Sequence, residues 1–273
     1  MPKLLWADTP MSLISETGFE ERSDIPPGHF AITCAQNMAK LHNTIMRCFN
    51  ASYNQCLAVE PDTVDASDFL FYNRALYEHI HAHHDTEEKV SFPDLVKLTG
   101  VKDIMDKNIQ EHKDFEAALD KFREYVYETD AKSYNGKRLQ EVMDDLAPVL
   151  HKHLVGEIPT LLDLAKYDSK KLEAWWGQTA TKAAGGVDLF RWEDNGADSF
   201  AWLASVYRDA PVALGCNDVT FPVDGDLRSY PPIPSFVKYI SKYILERRYA
   251  GSWRFNPCDG FGKPRPLAFP NPT

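Results

Sequence analysis

The chain has 273 residues, 44% of them hydrophobic, with a formal net charge of -10 and a pI near 5.4. It is long enough to bury a sizeable core, whereas its acidic balance argues against a nucleic-acid partner, since no broad basic surface is available for phosphates. Asp8 and Pro10 interrupt the N-terminus before an apolar signal core can form, and no run approaches the ~18 apolar residues of a membrane span; a cytoplasmic protein without a membrane partner is expected.

Residues 1–28 read as an irregular lead-in ending at Ile25-Pro26-Pro27, and proline there suits a helix start. From His29 to about Ser52 the periodicity is helical, with Met38, His42, Ile45 and Phe49 on one stripe. After a turn-rich stretch over 59–65, Ser67 or Asp68 is placed to cap a second helix. Its inner stripe runs Leu70, Tyr77, His84, Glu88 and Leu95, and Gly100 marks its stop. A third helix from about Val101 aligns Asn108, His112, Phe115, Leu119, Phe122 and Val126. Beyond the Asn135-Gly136 turn, a fourth helix aligns Val142, Leu146, Leu150, His153, Glu157 and Leu161, with Pro148 and Pro159 expected to bend it. Four long amphipathic helices over 29–168 predict an all-α, up-down four-helix bundle.

Residues 169–273 change character: they contain no His and alternate short helical stretches (170–183, 199–207 and 236–249) with turns such as Gly215-Cys216-Asn217-Asp218. Trp175, Trp176, Trp202 and Trp253 need burial that short helices cannot give themselves, so this helical, loop-rich extension is expected to pack on the bundle. The five cysteines are odd in number and form no CxxC pair, which favours buried free thiols over a disulfide framework.

The chemistry concentrates at residues 79–88, where His79, His81, His83, His84, Glu87 and Glu88 crowd into ten positions. On a continuous helix His84 and Glu88 stand at i and i+4 and project from one face. His42, His112 and His153 lie on the inner stripes of the other three helices, and Glu157 stands one turn beyond His153. Because the inner faces of a bundle meet along one axis, His42, His84, Glu88, His112, His153 and Glu157 can converge on one point and hold two metal ions. Imidazole and carboxylate donors without thiolate favour iron, ahead of manganese, over structural zinc. His79 and His83 point away from His84 and read as solvated or outer residues. His81 stays near the inner face, and His29, at the mouth of the first helix, is a candidate pocket residue, as are Tyr77 and Asn108.

The set His42, His84-Asp85-Thr86-Glu87-Glu88 with Phe92-Pro93, Glu111-His112-Lys113-Asp114-Phe115 and His153-Leu154-Val155-Gly156-Glu157 resembles the hemerythrin-like, HHE cation-binding family over about residues 29–168. The opening Trp6-Ala7-Asp8 and the closing Trp253 to Asp259 resemble its fungal branch. The resemblance implies a non-heme diiron centre held by His42, His84, Glu88, His112, His153 and Glu157, with dioxygen as a ligand. Oxygen-carrying hemerythrin has a second His on the third helix where this chain has Asn108. The His153/Glu157 spacing is similar to that of the iron-sensing hemerythrin-like domain of an F-box ubiquitin-ligase subunit. Two function classes fit: an oxygenase or oxidase acting on a small organic substrate, and an iron- or oxygen-binding sensor or storage protein without catalysis.

Overall fold

The computed structural model describes residues 6–183, 198–226 and 235–271. Its elements are α1 (Phe30–Tyr53), α2 (Val64–Thr86), a π turn (Glu87–Ser91), α3 (Phe92–Thr99), α4 (Asp106–Glu128), α5 (Gly136–Leu162), α6 (Ser169–Ala183), α7 (Asp198–Cys216), α8 (Ser235–Tyr243) and α9 (Ala250–Trp253). No strand occurs among the described residues, and no helix among them is long and apolar enough to cross a membrane. The fold is an all-α, up-down four-helix bundle of α1, α2, α4 and α5, in which α1 and α4 each pack against both α2 and α5.

Local chemistry sets the boundaries. Asn135 caps α5 by accepting from the Arg138 N–H, as its position before a helical glycine predicts. The second helix begins at Thr63 rather than at Ser67 or Asp68. Asp62 turns the chain at φ 60°, leaving Thr63 extended, so that its Oγ1 accepts from the Ala66 N–H at 3.1 Å. The expected continuous helix through Leu95 is divided, because α2 ends at Thr86 and the π turn intervenes before α3, which Gly100 then closes at φ 73°. The third helix begins at Asp106, later than Val101, and its expected stripe from Asn108 to Val126 is buried throughout.

The first helix differs most from a one-faced amphipath: 18 of its 24 residues are buried. Bundle neighbours cover one side, and chain from both ends covers the other. Asn43 pairs with the Ile14 backbone in both directions, and Asn50 accepts from the Met11 N–H while donating to the Ala7 and Met11 carbonyls, so the lead-in is strapped along α1. The extension packs α7 on α1 and α2, and α9 on α2. Phe255 meets Phe69 at a ring-centroid distance of 4.7 Å, and Tyr249 stacks on Phe71 at 4.1 Å. Trp175 and Trp253 are buried and Trp176 partly so, while the side chain of Trp202 lies outside the described residues. All five cysteines are free and buried.

Two expected features of the extension change. Gly215-Cys216, read as a turn, is the end of α7. The glycine is there for close approach, since a Cβ would stand 2.1 Å from the Asn256 side chain. The expected helix over 236–249 stops at Tyr243 and continues as a 3-10 turn, Leu245–Arg247, and the short α9.

Gly136 gives a test of the packing. A Cβ there would lie 2.0 Å from the Cys56 carbonyl oxygen, a backbone atom that cannot yield, whereas a Cβ at Gly177 in α6 meets nothing within 4 Å. Gly136→Ala is expected to cost about 3 kcal/mol in denaturant unfolding, and Gly177→Ala to stabilise by up to about 1 kcal/mol. Equal midpoints for the two variants would contradict this packing.

Candidate metal centre

Two groups of buried side chains meet in the bundle where α2 gives way to the π turn. The first comprises His84, Glu87, His112 and His153; the second comprises His42, His83, Glu87 and Glu157. Within each group one ligand atom per residue lies within 4.8 Å of the others. Glu87 belongs to both, and its two oxygens divide between them. Oε1 lies 3.3 Å from His83 Nε2, and Oε2 lies 3.5 Å from His112 Nε2. A carboxylate so placed can bridge two cations.

The imidazoles are aimed by outer partners. His42 Nδ1–H donates to the Leu154 carbonyl at 2.6 Å, and His112 Nδ1–H donates to Glu88 Oε1 at 2.8 Å, so each ring turns Nε2 inward. His153 Nδ1 lies 3.5 Å from Glu111 Oε2. The inward Nε2 atoms of His42 and His83 approach to 3.0 Å, and those of His112 and His153 to 3.2 Å. Lone pairs face one another at that distance only across a shared proton or a cation.

The unmet demand decides for cations. Both oxygens of Glu87, both oxygens of Glu157 and both nitrogens of His84 are buried without a hydrogen-bond partner. Burying carboxylates unpaired costs several kcal/mol each, and divalent ions at the two groups would take up both oxygens of Glu87 and one ligand atom each of Glu157 and His84. The donors therefore fit metal binding, with no thiolate among them. Burial, reinforced by neighbouring imidazoles, pushes His83 and His84 well below the ordinary imidazole range and takes His153 down to about 2. Burial, and then the nearby Glu157 carboxylate, pushes Glu87 well above the usual carboxylate range.

The structure brings together His42, His84, His112, His153 and Glu157, and replaces one expected residue and adds another. Glu88, expected inside, has a side chain 46% exposed and reaches only His112 Nδ1, whereas the Glu87 side chain is 4% exposed. Glu87 keeps the register of α2, its N–H bonding to the His83 carbonyl, and a π turn begins there, in which the Phe92 N–H bonds to the Glu87 carbonyl at i+5. Pro93 explains the turn's position, because it cannot donate to the Lys89 carbonyl and its ring crowds that group. His83, expected outside, faces His42 and Glu87. His83 and Glu87 also stand at i and i+4, and that pair is the signal the sequence offers. Among the other candidates, His81 is exposed and Tyr77 packs against Tyr127. His29 caps α1, accepting from the Ala31 N–H, with its Nε2 3.0 Å from the Tyr167 carbonyl. Asn108 is wholly buried one turn before His112, and neither of its amide atoms has a partner.

Chelation is therefore expected to lower the melting temperature by several degrees; equal melting with and without chelator would place the cations elsewhere. The metal-free chain should also weaken as pH falls from about 6.5 to 5.5. There the unfolded chain protonates His83, His84 and His153 while the folded chain keeps them neutral. The raised Glu87 opposes this, being a single group whose contribution grows as pH falls. Urea midpoints of the metal-free protein that rise on acidification through this window would contradict the burial of the three imidazoles.

Residues 35–165 match the family model described as the hemerythrin HHE cation binding domain. A curated relative, a dimeric xanthone biosynthesis cluster protein R11 from Cryptosporiopsis sp. (strain 8999), is 36% identical over 241 residues, covering 88% of this chain and 84% of the relative. No solved structure matches the chain significantly. With its bundle, its inward histidines and glutamates and these likenesses, the chain belongs to the hemerythrin HHE cation-binding family.

Proposed function

We propose that the chain holds two iron ions and activates dioxygen against a small organic substrate, as a non-heme diiron oxidoreductase. One observation carries this reading: Glu87 presents one oxygen to each of two donor groups that together supply only seven side chains. His42, His83 and Glu157 form a two-imidazole, one-carboxylate set of the kind that leaves positions open on ferrous iron. When bound, the iron pair supplies the redox chemistry. The protein's own share is to aim the His42 and His112 rings through Leu154 and Glu88, and to keep water out with Phe92 and Phe115. Asn108 can offer a donor and an acceptor to a bound molecule on the same face as His112. The relative's name, from dimeric xanthone biosynthesis, supports an aromatic substrate.

A second reading, iron or oxygen sensing, is favoured by the complete burial of His42, His153 and Glu157. Dioxygen uptake by the reduced protein separates the two. The oxidoreductase consumes it in proportion to an added aromatic substrate, and a sensor takes up a fixed amount whatever is added.

The ligand assignment has its own test. After anaerobic reconstitution with ferrous iron, the native protein is expected to bind two ions per chain, and Glu87→Ala or His83→Ala no more than one. Glu88→Ala should keep two while weakening them about 10- to 100-fold, as loss of an outer carboxylate does. His81→Ala should change nothing. Loss of iron from Glu88→Ala with retention in Glu87→Ala would contradict the assignment. Asn108→Leu, similar in volume but without the amide, should keep both irons and lose most substrate-dependent dioxygen uptake; unchanged uptake would remove Asn108 from the reacting space.

A further inference from the structure

The indole of Trp175 lies outside the bundle yet bears on its centre. Its helix, α6, packs on α1, α3 and the π turn, and Leu172 and Trp175 of that helix are buried. The start of α6 is tied to the start of α1, where the Phe30 N–H donates to Ser169 Oγ at 2.9 Å. From this fixed support Trp175 Nε1–H donates to the carbonyl of Ser91 at 3.1 Å, in a buried contact. Ser91 is the last residue of the π turn whose first residue is Glu87. The residue after it, Phe92, stacks on His112 with ring centroids 5.8 Å apart and planes at 25°.

A π turn is a rare alternative to the ordinary helical register. Relaxing it to an α-helix would rotate everything beyond it by about 100°. Phe92 would then leave His112, and the Ser91 carbonyl would turn away from Trp175, whereas Glu87, whose N–H bonds to the His83 carbonyl, would keep the register of α2. The indole bond is therefore available in one register only, the one that stacks Phe92 on His112. We propose that Trp175 is a positioning residue for the metal centre, holding the π turn so that Phe92 and Glu88 keep His112 aimed at its cation. The proposal rests on the two-cation reading above. It gives the C-terminal extension a role in the centre without contributing a ligand.

The test is anaerobic calorimetry with ferrous iron on the full chain, native and Trp175→Phe, which keeps a ring and removes the donor. Two ions should bind to each protein. In the variant the weaker ion should bind about 10- to 100-fold less tightly, while the tighter is little changed. Leu172→Ala controls for loosened packing of α6: it should lower the melting temperature at least as much and leave both affinities alone. Trp175→His, whose ring can present an N–H, should recover part of the loss. Should Trp175→Phe not fold, Trp175→Tyr takes its place with the same expectation, its hydroxyl lying beyond the indole nitrogen's position. Two unchanged affinities in a folded variant, or an equal loss in Leu172→Ala, would overturn the role of Trp175 and leave the two-cation reading intact. Fewer than two ions in the native protein would overturn both.

Discussion

Glu87 and Glu157 bring two carboxylates, and five histidines bring their rings, into a helical interior where neither oxygen of either acid finds a hydrogen-bond partner. In a water-poor core such groups are destabilising by several kcal/mol each unless a counter-charge arrives. The rest of the structure answers that demand. The rings of His42 and His112 are held by the Leu154 carbonyl and the Glu88 carboxylate, and the surrounding Phe92 and Phe115 seal the space. Cation binding and folding are thus expected to be one linked equilibrium, with the empty bundle strained by its own donors.

Much of this was legible in the sequence, because the signals are periodic and local. The stripe from Asn108 to Val126 lies where a 3.6-residue period puts it, and His42, His112, His153 and Glu157 point inward from regular helices. What failed was the choice of face on the second helix. His83 and Glu87 keep the register of α2, ahead of the π turn, so their inward place comes from α2 itself. Periodicity cannot choose between the two faces, since either glutamate completes an i, i+4 pair with a histidine.

The burial of α1 on nearly all sides was also beyond a helical-period reading. Asn43 and Asn50 look like ordinary polar positions on a solvent face, yet their amides pair with the backbone of the N-terminal arm some 30 to 40 residues earlier. Likewise Gly215 reads as a turn until Asn256, far along the chain, is seen against it. Both are consequences of long-range packing, which leaves no local trace. They show the lead-in and the extension as the cover of the bundle's outer faces, and α6 in particular as the support of the turn that leads Phe92 onto His112.

The most direct test of the bridging role of Glu87 is a crystal structure of anaerobically loaded protein with anomalous data collected at the iron edge. The account predicts two anomalous peaks about 3.5 to 4 Å apart, one beside each oxygen of Glu87, with Glu88 on His112 and off both metals. A single peak, or two peaks bridged by Glu88 with Glu87 turned outward, would contradict it.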